Sequence, residues 1–116
     1  MNKKLDNNIS QAELLLMLYN GAIKFSQTAK EDFYQKKFED ANQKLNRVQA
    51  IINELSSTLD MENGGEIAEN LNNLYEYMNR RLIQANIRKD TEIIEEVIGL
   101  LMDLKEGWEE AQEQLN

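Results

Sequence analysis

The chain has 116 residues, enough for one compact domain, and contains no Cys, His or Pro. Those absences exclude disulfides, thiolate chemistry, Cys- or His-ligated metals and the Ser-His and Cys-His nucleophilic pairs, and they leave no proline to break a helix. With 21 acidic against 13 basic side chains, a net charge of −8, the chain lacks the basic surface that nonspecific nucleic-acid binding or anionic lipid requires.

Hydrophobic residues make up 41% of the chain, which is enough for a core. The longest apolar run, Leu14 to Tyr19, falls far short of the roughly 18 residues of a membrane span. The opening Met1-Asn2-Lys3-Lys4-Leu5-Asp6 is followed by no apolar core of a secretory signal, so a cytoplasmic protein is expected, with no membrane insertion.

Ser10-Gln11-Ala12-Glu13 reads as a capping box and starts a first helix. Its apolar stripe is Leu14, Leu18, Gly21, Phe25 and Ala29, widened by Leu15 and Ala22. The break after it is weakly marked, somewhere in Phe33-Tyr34-Gln35-Lys36. A second helix follows, with Phe38, Ala41, Leu45, Val48, Ile52, Leu55 and Leu59 alternating three and four apart. The stretch Asp60 to Gly65 ends it, with Gly64 or Gly65 suited to a left-handed closing residue.

The third stripe is Ile67, Leu71, Leu74, Met78, Leu82 and Ala85. Arg88 and Lys89 suit its carbonyl end, and Asp90 suits the N-cap of a fourth helix. The fourth stripe is Ile94, Val97, Leu101, Leu104, Trp108, Ala111 and Leu115. The pattern predicts helices at about 11–33, 37–60, 66–89 and 91–115, in one domain spanning 10–116 after a flexible segment 1–9. Four helices with short connections predict an all-α, antiparallel up-and-down four-helix bundle. Gly21 and Gly107, inside helices, are either tolerated surface glycines or points of close approach.

A second apolar set lies beside these stripes: Leu16, Met17, Ile23, Ile51, Tyr75, Tyr77, Ile83, Ile98 and Leu100. It is either the margin of a broad core face or a groove for a partner's amphipathic helix. Catalytic chemistry is not indicated. Glu66 with Glu69, Glu92 with Glu95 and Glu96, and Glu106 with Glu109, Glu110 and Glu113 flank the stripes and read as solvated faces, not as metal ligands. No phosphate-binding glycine loop is present, and Ser56, Ser57 and Thr58 have no base beside them. The expectation is a non-enzyme with no cofactor and no metal.

Several linked stretches carry a resemblance. Leu59 to Leu71 with its Gly64-Gly65 turn, Leu74 to Asn86, Glu95 to Leu101 followed by Trp108, and Glu13-Leu14 with Leu18 to Ile23 stand in family order across positions 9 to 111. Together they resemble the FliS family of flagellin export chaperones. The resemblance implies a cytosolic four-helix bundle that binds the disordered C-terminal segment of flagellin. That segment wraps the bundle and folds on it, is kept from premature polymerisation, and is delivered to the flagellar type III export gate. Residues 1–9 depart from the family pattern, having no aromatic residue. The roles that the family gives this leading segment, covering the groove and docking at the gate, therefore lack their usual residues here.

On this reading Leu16, Met17, Ile51, Tyr75, Tyr77 and Ile83 are the candidate groove residues. Arg80 and Arg81 pair either with partner carboxylates or with the chain's own acidic faces. Asn86 ties down the end of the third helix, Trp108 lies in the core, and the free chain is a monomer. The alternative is a non-catalytic helical adaptor that self-associates through the second apolar set or serves a different partner.

Overall fold

A computed structural model describes residues 10–115; segment 1–9, expected to be flexible, lies outside the described residues, as do Asn116 and the Leu115 side chain. Four helices follow in order: α1 Gln11–Tyr34, α2 Phe38–Ser57, α3 Gly65–Arg88 and α4 Thr91–Leu115. Among the described residues there is no strand. The helices form a ring in which α1 and α3 each pack against both α2 and α4. Short connections make consecutive helices antiparallel, so the expected up-and-down bundle is observed.

The helix ends follow local chemistry. Ser10 Oγ accepts from the Glu13 amide at 3.1 Å, and the Glu13 carboxylate accepts from the Ser10 amide at 3.0 Å. The capping box is therefore complete. α1 closes through Lys36, which adopts a left-handed φ of 61° and lets the Lys37 amide reach Asp32 O at 2.8 Å. Phe33 and Phe38 then pack across the turn at 5.9 Å, with the Lys89 ammonium 5.1 Å from the Phe38 ring. α2 stops at Ser57, three residues before the predicted end. Thr58 turns back onto Leu55 O, and Asp60 bonds the Asn63 amide at 3.1 Å to start a separate turn. The left-handed residue of this loop is Gly65 (φ 57°), and it opens α3 where a closing role for α2 was expected. Gly64 serves a different need: a Cβ there would stand 2.6 Å from both Asp60 O and the Ala68 Cβ. α3 closes through Lys89 (φ 53°), and the Asp90 carboxylate caps α4 by accepting from the Glu92 amide at 2.9 Å.

The core follows the predicted stripes in α2, where Ala41, Leu45, Val48, Ile52 and Leu55 are buried. In α3 and α4 the middles agree as well, with Met78, Leu82, Ala85, Ile94, Val97 and Leu101 inside. α1 is rotated by about one residue from its predicted phase. Its buried residues are Leu15, Tyr19, Ala22, Ser26, Ala29, Asp32 and Phe33, whereas Leu14 is exposed. Phe38 and Ile67 are also exposed, against expectation, because each stands in the first turn of its helix, where the facing helices cover it only in part.

A buried polar chain accounts for the α1 phase. The Tyr19 hydroxyl lies 2.6 Å from the Tyr75 hydroxyl on the diagonally opposed α3, and it accepts from Trp108 Nε1 on α4 at 3.2 Å. One oxygen thus joins three helices in the interior, where an unpaired hydroxyl would be costly. On the α2–α3 seam a second polar device sets register. Asn42 pairs with Asn86 (2.7 Å), Gln49 with the Asn79 carbonyl (3.3 Å) and Ser56 with Asn72 (2.6 Å). The partners advance by seven residues on α2 and recede by seven on α3, which is the heptad register of an antiparallel seam. Asn86 holds the end of α3 in this way, as expected.

Two predictions follow from these contacts. Lys36→Gly and Lys89→Gly should each stabilise the fold by about 0.5–1 kcal/mol in thermal melts, by relieving left-handed strain, whereas Gly64→Ala should destabilise it by about 1–3 kcal/mol through overpacking. In denaturant titrations Tyr75→Phe should cost about 1 kcal/mol and Tyr19→Phe about 2–3 kcal/mol, because only the latter leaves two groups, the Tyr75 hydroxyl and the Trp108 indole, without their partner.

The same tyrosines give a pH dependence. Burial is the main cause that raises both Tyr19 and Tyr75 above the ordinary 10.0. The folded chain therefore keeps protons that the unfolded chain releases. Stability from these groups is intact below pH 10 and falls as the pH rises above it. Tyrosinate absorbance from two of the four tyrosines should appear only together with loss of helical circular dichroism.

Candidate partner-binding surface

The cross-helix contacts assign each side of the bundle. Asp32–Lys44, Phe25 under Arg47 (5.1 Å) and Ile51 over Gly21 mark the α1–α2 side. Lys30–Glu95 marks the α1–α4 side, and Tyr77 and Arg81 with Glu96 mark the α3–α4 side. Helical spacing then places the remaining residues.

Met17, four residues before Gly21, stands at the outer edge of the α1–α2 side and is 56% exposed. Ile51 is half-buried; its Cδ1 lies 3.5 Å from where a Gly21 Cβ would be, so Gly21 permits ordinary contact with α2. Leu16 is half-buried and shares its stripe with Ile23 and Lys30, which face α4. Ile83 is 51% exposed on the outside of α3, next to Ile87 at 73%. Tyr77 is half-exposed and donates its hydroxyl to Glu96 Oε2 at 2.5 Å. Arg81 donates to Glu96 Oε1 at 2.8 Å and to Gln84, so its guanidinium is spent within the chain. The Tyr77 hydroxyl, and after it Arg81, hold the Glu96 carboxyl below its usual range. Arg80 is exposed, and among the described residues it forms no ion pair.

Tyr75 is a correction. It was expected in a groove, yet it is buried, because its hydroxyl is drawn inward to Tyr19. Ile98 of the second apolar set is likewise interior. The remaining candidates do not converge on one groove. They are distributed around the bundle, with Leu16 towards α4, Met17 and Ile51 towards α2, and Ile83 and Arg80 outside α3.

Sequence reasoning missed the end of the bundle. An open cavity of about 390 Å³ lies where α1 and α3 begin, lined by Leu15, Leu59, Ile67, Leu71 and Trp108 among others. Trp108 also borders a shallower hollow of about 300 Å³ along α4, with Asp103, Leu104, Gly107 and Ala111. The indole packs against the core, as expected, and is at the same time a shared wall of both hollows. Gly107 meets no neighbour, so its missing side chain keeps the hollow open. The available signal was the apolar pair Met61 and Ile67 flanking the glycine turn, both exposed. No described helix is long and apolar enough to cross a membrane.

Comparison with known proteins gives a consistent result. A sequence model of the family described as flagellar protein FliS matches residues 2–115. The flagellar secretion chaperone FliS of Bacillus subtilis is 39% identical over 105 residues, covering 90% of this chain and 77% of that protein. The flagellar secretion chaperone FliS of Salmonella typhimurium is 43% identical over 102 residues, covering 87% and 76%. A crystal structure of a bacterial flagellar chaperone superposes with a TM-score of 0.83 over 90% of this chain and 85% of that one; at 19% identity it supports the fold alone. With the bundle, the ordered motifs and these relatives in agreement, the chain belongs to the FliS family of flagellar secretion chaperones.

Proposed function

We propose that this chain captures the disordered C-terminal segment of flagellin in the cytoplasm. It thereby prevents premature polymerisation and delivers the subunit to the flagellar type III export apparatus. The observation that carries this reading is the distribution of large apolar side chains left in solvent on several sides of a well-packed bundle: Met17, Ile83, Ile87 and Met102 are each more than half exposed. Burying such a side chain is worth about 1.5–3 kcal/mol. Scattered anchors on different sides suit a long segment that wraps the bundle and folds as it binds, better than they suit a short helix in one groove. The partner's identity rests on the family. Capture of this kind needs no cofactor and no catalytic group.

Titration calorimetry with the C-terminal segment of the same organism's flagellin tests the proposal. Binding with heat and with a gain of helical circular dichroism is expected. Met17→Asp and Ile83→Asp, at exposed sites that leave the core intact, should each weaken binding about tenfold or more, equivalent to about 1.4 kcal/mol. Arg80→Glu should weaken it less, with an effect that fades at high salt. Absence of heat and of any gain in helicity would refute the reading. A free chain that grows from monomer to dimer with concentration in sizing experiments would favour a self-associating adaptor.

A further inference from the structure

The open end of the bundle carries a charge pattern that the side faces do not. Residues 10–22, 50–77 and 103–115, which build that end, contain twelve Asp and Glu against the single Lys105. Residues 23–49 and 78–102, which build the other end, contain eight acids against ten Lys and Arg. The deficit of the whole chain is therefore concentrated at one end. Asp60 and Asp103 line the two hollows there, while Glu66 and Glu69 bracket Ile67, and all four are exposed. Among the described residues the ion pairs use Asp32, Glu95 and Glu96, all towards the opposite end, so none engages this rim. Inside the rim the larger hollow forms an apolar trough walled by Leu15, Leu59, Leu71 and Trp108, with Ile67 left 73% exposed at its lip.

We propose that this trough is a second docking surface, whose occupant is a lysine- or arginine-bearing amphipathic helix of a partner protein. Its apolar edge seats against Trp108 and Ile67, and its basic flank meets the acidic rim. Charge complementarity selects this occupant. An apolar cleft under a one-sign rim raises the local concentration of the opposite charge and rejects helices of its own sign. Two copies of this end would face each other with like-charged rims, which disfavours self-pairing there. None of Met17, Ile83, Ile87 and Met102, on which the flagellin reading rests, lines this trough.

The probe is a synthetic amphipathic peptide of about 18 residues with leucines at helical i, i+3, i+7 spacing and lysines on the remaining face. A twin carries glutamate in place of every lysine. Trp108 is the only tryptophan in the chain, so its emission reports occupancy directly, with calorimetry as the second readout. The lysine peptide is expected to bind, and to lose at least about tenfold in affinity between about 50 and 300 mM salt. The glutamate twin should bind at least about tenfold more weakly. Ile67→Asp should weaken the lysine peptide even though it adds a negative charge, and Ile83→Asp should leave it unchanged. Equal binding of the twins would overturn the proposal. So would an Ile67→Asp variant that binds as well as or better than the parent, which would reduce the effect to charge alone. Concentration-dependent dimerisation abolished by Ile67→Asp would assign the trough to a second copy and overturn it as well.

Discussion

The Tyr19 hydroxyl is the point on which the arrangement of helices turns. It sits in the interior, joined to Tyr75 across the diagonal and to the Trp108 indole. A buried hydroxyl needs a partner, and Tyr19 supplies one to two different helices at once. Bringing that oxygen to the centre rotates α1 about its axis. Leu15, Ala22 and Phe33 then face inward, while Leu14 and Met17 move to the outside. The same contact draws the indole of Trp108 across the open end, where it divides two hollows. The face that α1 offers to solvent is in this sense a consequence of the pairing of Tyr19, whereas Ser26 Oγ on the same buried stripe has no partner among the described residues.

The bundle is unevenly sealed, and that unevenness has a chemical cause. The α2–α3 seam is crossed by amides and hydroxyls at heptad spacing, which specify register. The α1–α2 seam is closed by Ala22, Ala29, Ala41 and Val48 and by the cation–π contact of Arg47 with Phe25. Towards the end where α3 begins, the helices run out around an open cavity walled by Leu15, Leu59, Leu71 and Trp108, with Ile67 exposed beside it. Apolar surface therefore persists there, with the carboxylates of Asp60, Glu66 and Glu69 around it.

The four helices and their order could be read from the sequence because apolar spacing of three and four is a dense signal over 20 or more residues. The Ser10–Glu13 box and the Asp90 cap were legible for the same reason, each being a local pattern with a local mechanism. The phase of α1 was not. Its buried stripe includes Tyr19, Ser26 and Asp32, polar residues that an apolar count passes over, and the eye is drawn instead to the Leu14–Leu18 run. Tyr75 was misplaced by the same omission, since its pairing with Tyr19 spans 56 residues. Both helix ends were legible, in Phe33–Lys36 and at Arg88–Lys89, but the left-handed conformation of Lys36 and Lys89 was not, because such residues are ordinarily sought at Gly or Asn. Of the expected surface residues, Met17 and Ile83 were legible as apolar positions off the main stripes. The trough was not, because Trp108, Leu71 and Ile67 lie on seam positions and become accessible only where the helices run out.

In the proposed mode of action, apolar residues left in solvent on several sides of the bundle, Met17, Ile83, Ile87 and Met102, hold a flagellin segment that folds as it binds. Amide hydrogen exchange on the C-terminal segment of flagellin, free and bound to the chain, tests it most directly. Fast exchange when free, and protection in helix-length stretches when bound, separated by unprotected links as the segment crosses from one side of the bundle to another, is the predicted result. A bound segment that remains unprotected throughout, or protection confined to one short stretch, would contradict the account.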